Sequence, residues 1–295
     1  MKFLITTILL LLGTSTFACD VCGCSVAGNT LGVLPHYQRS FVGLRTYYQH
    51  FENVNPLYED ENIHDYFIQN NLWGRYALGN RWQIIGALPY KINHRTFNNQ
   101  TLTGIGDASL TANYSIVNTI DSVKSFRQHL MIGTGIKLPT GNFMKEMLFQ
   151  DIPANFRLGT GSTDLLFNAI YTVQVQGFIF STNANYKLTT ENQDRSYKFG
   201  NQLSVMSFFA YQQRWNSLVI QPYIGINYEQ IKKDEHYDYA QVGTGGQATF
   251  SLVGLEAAYS KYSLGINWQR AISENYADGD IKNRGRFMAS LTYIF

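Results

Sequence analysis

The sequence predicts an all-β protein, a transmembrane antiparallel up-and-down β-barrel of about twelve strands with both termini in the periplasm. Three observations support this prediction. From Ser40 onward the chain divides into segments in which polar and apolar residues alternate. Long and short connections alternate between these segments, and the last segment ends the chain on an aromatic face. This combination is typical of strands with lipid on one side and a wet interior on the other.

The final segment, Arg284–Phe295, shows the alternation most clearly. With the two-residue period of a strand, its apolar face comprises Phe287, Ala289, Leu291, Tyr293 and Phe295. Its opposite face comprises Arg284, Arg286, Met288, Ser290 and Thr292. Such an edge would aggregate in water unless it pairs with the first strand and closes a barrel. The ending resembles the C-terminal signature of bacterial outer-membrane proteins, so the barrel-assembly machinery is an expected partner. For this segment alone, the edge of a soluble sandwich is the alternative.

The composition agrees with a membrane protein. Of 295 residues, 45% are hydrophobic and only 15% are charged, with 20 Tyr and 19 Phe. Charged residues make up about a quarter of a typical soluble protein. The net charge is +2 and no run of Lys or Arg occurs. These features argue against a nucleic-acid partner.

The N-terminus predicts export. Lys2 precedes an apolar run from Phe3 to Leu12, and small residues follow up to Ala18. We interpret residues 1–18 as a secretory signal peptide, because the apolar run is too short to span a membrane. No later stretch reaches the roughly 18 apolar residues of a spanning helix. A bilayer protein without such helices must be a closed barrel, so we predict the bacterial outer membrane as its location and outer-membrane lipid as its surroundings.

All three cysteines lie in residues 19–39, which we predict to be an N-terminal periplasmic segment. Cys19, Cys22 and Cys24 allow three interpretations. Cys19 could be lipidated, two thiols could form a disulfide in the oxidising periplasm, or up to three thiolates could bind Cu or Zn. The metal hypothesis lacks an obvious fourth ligand, since the nearest histidine is His36. No other cofactor is predicted.

The barrel domain is predicted at residues 40–295. The predicted strands are 40–51, 65–78, 81–95, 104–116, 126–139, 161–174, 177–189, 200–212, 217–231, 246–259, 261–272 and 284–295. A change of phase near Val253 and Gly254 is interpreted as a glycine bulge. The odd-numbered connections are long and most even-numbered ones are tight turns, although residues 117–125 are an exception. This rhythm places both termini at the periplasmic end.

Assigning the polar faces to the interior places ten charged residues there. These candidate lumen-lining residues are Arg45, Arg75, Lys91, Asp107, Lys137, Asp164, Lys187, Glu229, Glu256 and Arg286. On the lipid face, a charge at mid-bilayer would cost about 2–4 kcal/mol. The interior charges either form a hydrogen-bonded ladder that fills a narrow barrel or line a conduit that selects solutes. A barrel of about twelve strands can be narrow or plugged.

No catalytic residue is predicted, and we do not expect an enzyme. The six histidines are scattered and no Ser-centred nucleophile elbow occurs. His50, His64, His94 and His236 are expected near the outer rim. There they are either polar side chains at headgroup level or a site that is assembled in space.

Two glycine-containing stretches, 104–114 and 133–141, go beyond the general barrel pattern, and residues 161–164 repeat the Gly–polar–Asp entry to a strand. In the first, Asp107 follows Gly104 and Gly106, which suits a tight strand start; in the second, Pro139 suits a strand end. We therefore expect these motifs to shape loops rather than to bind substrate. In order and spacing, the stretches resemble the family of outer-membrane transporters named for the meta-pathway (MetA-pathway) of phenol degradation. The resemblance covers residues 40–295. It implies a barrel for uptake of small organic molecules such as aromatics, and no catalytic residues.

The predicted function is passive movement of a small, organic or aromatic, solute through an outer-membrane channel. The alternative is a non-conducting barrel that binds a soft metal through the cysteines or a partner through its outer loops.

Overall fold

The computed structural model describes residues 39–54, 63–97, 99–121, 126–141, 154–192 and 196–295. Within these ranges, twelve long strands form one antiparallel sheet. The strands are β1 (Phe41–Asn53), β2 (His64–Leu78), β3 (Trp82–Arg95), β4 (Gln100–Ile105 and Ala108–Asp121), β5 (Phe126–Leu138), β6 (Asp164–Val175), β7 (Phe178–Leu188), β8 (Gln202–Tyr211), β9 (Leu218–Ile231), β10 (Gly246–Tyr259), β11 (Tyr262–Tyr276) and β12 (Ile281–Ile294). In the described part of the chain, no helix is both long and apolar enough to cross a membrane.

The sheet closes on itself between its first and last strands. The register of β1 and β12 runs from Phe41 opposite Ile294 to Asn53 opposite Ile281. Beyond it, the backbone N–H of Phe295 donates to the carbonyl of Ser40 at 3.0 Å. Every neighbouring pair around the ring is antiparallel, including β8 with β9. The predicted fold, a closed antiparallel barrel of twelve strands, is confirmed.

The two faces of the strands differ as lipid and interior require. Outward side chains such as Leu44, Ile224 and Leu264 are apolar and exposed, whereas inward ones such as Asn113 and Thr292 are polar and buried. This is the reverse of a soluble protein and is the pattern of a membrane barrel. Outward aromatic pairs lie near the short turns. Their ring centroids are 4.9 Å apart for Trp82 and Tyr114, 5.0 Å for Phe178 and Tyr211, and 5.4 Å for Tyr262 and Tyr293.

The two ends of the barrel are unlike. At the end that carries Phe41 and Ile294, here called the short-turn end, turns such as Gln176–Gly177 are tight, and both of these residues have positive φ. At the opposite long-loop end, the connections are longer. There the short strands Tyr197–Lys198, Glu235–His236 and Tyr239–Ala240 form a three-stranded loop sheet.

Three local predictions need correction. The strand predicted at 104–116 is two segments of β4, separated where Gly106 and Asp107 leave the ladder. The bulge predicted at Val253 and Gly254 is wrong, because the register is regular there and shifts between Thr249 and Phe250 instead.

The apparent change of phase at Val253 has a simple cause: the apolar side chains of Phe250 and Leu252 face inward.

Arg284 was predicted on the polar face of β12 but is exposed on the outer face. The register shift between His50 and Phe51 pairs these residues with Gly285 and Asn283, so Arg284 is left out of the ladder as a bulge.

The β1–β12 closure predicts a large difference between two glycine substitutions. A Cβ at Gly43 would lie 2.5 Å from the carbonyl oxygen of Leu291 on β12, whereas a Cβ at Gly86 would lie no closer than 3.7 Å to its neighbours. Gly43→Ala should therefore lower the free energy of unfolding by about 1–3 kcal/mol, and Gly86→Ala by less than about 0.5 kcal/mol. Urea titration of the protein in lipid vesicles, followed by tryptophan fluorescence, measures both. Equal effects of the two substitutions would contradict the closure described here.

Candidate functional site

The candidate site is the charged interior of the barrel. All ten charged residues predicted to line it carry side chains on the inward-facing side of the wall. Lys91 and Asp107 are half-buried. The other eight, Arg45, Arg75, Lys137, Asp164, Lys187, Glu229, Glu256 and Arg286, are buried. Five of the ten, Asp107, Lys137, Asp164, Glu229 and Arg286, belong to two clusters near the long-loop end, and a third cluster there is formed by two other charged residues.

The first cluster joins a lysine to two carboxylates. Lys137 Nζ lies 3.0 Å from Asp107 Oδ2 and 2.7 Å from Asp164 Oδ2. Asp164 also accepts hydrogen bonds from the hydroxyl of Ser162 at 2.9 Å and from the backbone N–H of Thr190 at 3.2 Å. A buried lysine is stable in this setting because two carboxylates compensate its charge. The three residues come from the three glycine-containing stretches of the sequence, which are thereby brought together in space.

Asp107 also holds the base of the loop that connects β5 to β6. Its Oδ1 accepts the backbone N–H of Gly141 at 3.0 Å, and its Oδ2 accepts that of Thr160 at 2.9 Å. The hydroxyl of Thr140 donates to the carbonyl of Gly106 at 2.8 Å. Lys137 and Asp164 belong to the same network of contacts. The structure of the loop base is therefore enough to explain the Gly, Asp and Thr residues of the motifs.

The second cluster lies on β9, β11 and β12. The guanidinium of Arg286 donates to both carboxylate oxygens of Glu229, at 2.9 and 2.6 Å. It also donates to the hydroxyl of Tyr276 at 3.2 Å, and that hydroxyl donates to Glu229. The guanidinium carbon lies 3.9 Å from the centre of the Phe250 ring. The charges are therefore paired, hydrogen-bonded and covered by an aromatic face.

The third cluster contains two charges that the sequence did not identify, Asp65 and Arg95. Arg95 donates two hydrogen bonds to Asp65, at 2.8 and 2.7 Å, and its guanidinium lies 5.2 Å from the ring centre of Phe156. Asp65 lies at the end of an acidic loop in the sequence, so it resembles a solvated loop residue. The alternation of residues along β2 could have identified Asp65 as an inward-facing residue, because it places Asp65 on the same face as Phe67.

Phe156 belongs to a loop segment that enters the interior. The short 3-10 turn Ala154–Phe156 packs there against β2 and β3, and Phe156 is fully buried. Its carbonyl accepts a hydrogen bond from the Asn93 side chain at 2.7 Å, and its ring lies 5.8 Å from that of Phe67. Phe156 thus joins an inward-facing layer, here called the aromatic layer. The aromatic layer comprises Phe51, Phe67, Phe156, Phe250 and Tyr276.

Toward the short-turn end, the interior is also polar, and its charged side chains contact a backbone carbonyl, an aromatic ring and a hydroxyl group. Arg75 donates to the carbonyl of Arg39 at 2.9 and 2.7 Å, and Arg45 lies 4.1 Å from the ring centre of Trp73. Glu256 accepts a hydrogen bond from the Ser263 hydroxyl at 2.9 Å.

At mid-wall, Asn168 donates to Asn113 at 2.7 Å across the face of Gly133. A Cβ at Gly133 would lie 1.9 Å from the Asn113 side chain, which explains this glycine of the second motif.

The loop sheet contains a further buried carboxylate. Asp234 is 3% exposed and accepts hydrogen bonds from the Tyr197 hydroxyl at 2.7 Å and from the Gly200 backbone N–H at 2.6 Å. Burial, only partly offset by these hydrogen bonds, raises the pKa of Asp234 from 3.8 to about 6. Asp234 therefore links the β7–β8 loop to the β9–β10 loop and changes its charge near neutral pH.

The described histidines lie in three separate places. His129 is inward and buried beside Ser115, and His236 lies in the loop sheet. His50, His64 and His94 share the outer face of β1, β2 and β3 at the long-loop end. Cys19, Cys22, Cys24 and His36 lie outside the described residues, as does the predicted signal peptide. The signal peptide and the Cu or Zn hypothesis therefore stay predictions.

Comparison with known proteins supports a common fold and family. The model of the family "Putative MetA-pathway of phenol degradation" matches residues 56–276. An outer membrane channel from Pseudomonas putida F1 superposes with a TM-score of 0.69 at 15% identity, covering 89% of this chain and all (100%) of that one. The β domain of the Bordetella autotransporter BrkA gives 0.53 at 12% identity, over 87% of this chain and 100% of that one. No curated protein sequence matches the chain.

The Glu229–Arg286 pair predicts a strongly non-additive mutant cycle. Glu229→Gln leaves the buried guanidinium without its counter-charge and should lower the free energy of unfolding by about 3–5 kcal/mol. Adding Arg286→Met should restore more than half of that loss, because no buried charge then remains uncompensated. Lys233→Ala, which removes an exposed loop pair with Asp278, should cost less than about 1 kcal/mol. The measurement is urea unfolding in vesicles; additive effects at Glu229 and Arg286 would refute the coupling.

The raised pKa of Asp234 predicts that the stability of the loop sheet depends on pH. Because its pKa is higher in the fold than the ordinary 3.8, its contribution is fully present below about pH 4 and is lost as the pH rises through about 6. Hydrogen-exchange protection of the Gly200 amide, corrected for intrinsic exchange, should therefore fall between pH 4 and 7. Asp234→Asn should abolish this dependence, and Asp278→Asn, at an exposed loop aspartate, should leave it unchanged. Unaltered pH dependence in Asp234→Asn would contradict the assignment.

Proposed function

Since the chain belongs to the MetA-pathway of phenol degradation family, we propose that it is an outer-membrane channel for passive movement of a small organic solute. The observation that carries this proposal is the composition of the interior. Inward-facing charges and an aromatic layer occupy the same end of the barrel, so a solute would meet hydrogen-bonding groups and apolar ring faces together. Sites of this composition suit small molecules with an apolar body and a few polar groups, such as phenolic or other aromatic compounds.

The net charge of the inward-facing side chains indicates which charge a solute should carry. The twelve inward charges described above comprise seven cations and five carboxylates, so their sum is 7 − 5 = +2. Pore selectivity follows the sign of the charges that line the path. We therefore expect neutral or anionic organic solutes to pass more readily than cationic ones.

We infer that the loop segment around Phe156 narrows this path. It extends from the wall into the interior, where Phe156 contacts both the aromatic layer and the Asp65–Arg95 pair. A fully buried ring in this position fills volume that a solute would need. We infer that Phe156 limits conductance and helps to select the solute.

Recording in planar bilayers and swelling of proteoliposomes test the proposal. Wild-type protein should show small unitary conductance and admit a small phenolic solute faster than a sugar of similar mass. Phe156→Ala should raise the conductance about twofold or more, because conduction depends on the narrowest part of the lumen. Phe209→Ala, which truncates an outward-facing ring that is 65% exposed, is the matched control and should change neither readout.

A non-conducting barrel is the second candidate, because most inward side chains are buried and leave little free space. In that case neither wild type nor Phe156→Ala would conduct or swell vesicles. Retention of Cu or Zn that is lost on Cys22→Ser would then support the metal-binding form of this candidate.

A further inference from the structure

The outer face of β1–β3 carries an aromatic and histidine cluster at the long-loop end. The His50 ring stacks on Tyr66 with centroids 4.6 Å apart, and the His94 ring lies 6.1 Å from Tyr66 on its other side. His50 and His64 approach each other more closely, with His50 Nε2 3.1 Å from His64 Nδ1. This contact joins neighbouring strands, because His50 is opposite Tyr66 and His64 is opposite Glu52 in the β1–β2 register.

The spacing of these two nitrogens is that of ligands on one metal ion. Imidazole nitrogens bind Zn(II) at about 2.0–2.1 Å. At such distances, neighbouring ligands at square or tetrahedral angles lie about 2.9–3.4 Å apart. We propose that His50 and His64 form a two-histidine site for a divalent transition-metal ion, with Cu(II) preferred over Zn(II) as in the general affinity order for nitrogen ligands. This proposal is independent of solute transport.

The protonation chemistry of the pair is compatible with binding. In the absence of metal, one of the two facing nitrogens must donate to the other, so only one ring presents a lone pair. When the donor ring moves its proton to its other nitrogen, both facing nitrogens become ligands and no net proton is released. The pairing of β1 with β2 holds the two rings near this geometry before an ion binds. Less conformational entropy is therefore lost on binding.

The surroundings set the coordination number and the charge. Both rings are half-buried, so an ion can reach them from outside the barrel wall. Glu52 is opposite His64 in the β1–β2 register and forms an ion pair with Arg284. Over the described ranges, no group of three or more His, Cys, Asp or Glu side chains is arranged to hold a metal. Among the described residues, His50 and His64 therefore supply two ligands, and water can supply others.

His94 provides a matched control on the same face. Its Nδ1 lies 2.9 Å from the Thr101 hydroxyl, so it is held within the cluster but does not point at the His50–His64 pair. A His94→Gln variant removes one imidazole that is half-buried, as those of His50 and His64 are, and leaves the pair intact.

The experiment measures Cu(II) and Zn(II) binding to the refolded full chain in detergent, without a histidine tag. Cys19, Cys22 and Cys24 are replaced by Ser in every sample, so that thiolates do not contribute. Isothermal titration should give one Cu(II) per chain, bound more tightly than Zn(II). Electron paramagnetic resonance of the Cu(II) complex should show coupling to two nitrogens.

His50→Gln and His64→Gln should each weaken Cu(II) binding at least tenfold, a loss expected because even supporting partners of metal ligands are worth about 10–100-fold. Each should also reduce the nitrogen coupling, whereas His94→Gln should change neither. Heat-dependent mobility on gels establishes that each variant is folded. Absence of binding in the folded parent, coupling to fewer than two nitrogens, or equal weakening by His94→Gln would overturn the proposal.

Discussion

The closed ring of backbone hydrogen bonds is the constraint on which the rest of this structure depends. Hydrocarbon offers no partner for a peptide N–H or C=O, so each strand must be paired on both sides. The contact of β1 with β12 satisfies the last two edges, and the amide of Phe295 extends the pairing to the final residue. Closure then fixes which side chains face inward, because residues alternate between the two faces. The position of every interior cluster follows from that alternation.

Within this ring, the first role of the charged residues is to hold parts of the barrel wall together. Arg286 on β12 pairs with Glu229 on β9, so this ion pair connects two strands that are not neighbours in the sheet. Lys137 pairs both with Asp164, its partner in the sheet ladder, and with Asp107, which lies outside the ladder. The aromatic layer covers Arg95 and Arg286 with ring faces, which partly replace the lost water. A pathway for solutes through such an interior must pass between groups that already satisfy one another, which agrees with a narrow and selective channel.

Sequence alone could predict a closed barrel of twelve strands, since the two-residue period marks each strand and separates its two faces. It could not predict which charges meet. Asp107, Lys137 and Asp164 converge because the register of three strands and one loop base places them together, and register is not visible in a period. Phe250 shows a second limit, because an apolar residue in a barrel can face inward when an aromatic layer fills the interior. Arg284 shows a third: a single bulge reverses the face of one residue.

The base of the β5–β6 loop has a consequence for how the protein can change. Gly141 and Gly159 touch, since a Cβ on Gly141 would lie 2.7 Å from the Cα of Gly159, and Asp107 ties the neighbouring backbone to the wall. Both ends of the loop are therefore held at one place on the wall. For a loop with fixed ends, doubling the length costs only about 0.6 kcal/mol. The length of the chain over residues 142–153 can accordingly vary at little cost to the wall, because the contacts that hold the base of the loop lie outside that stretch.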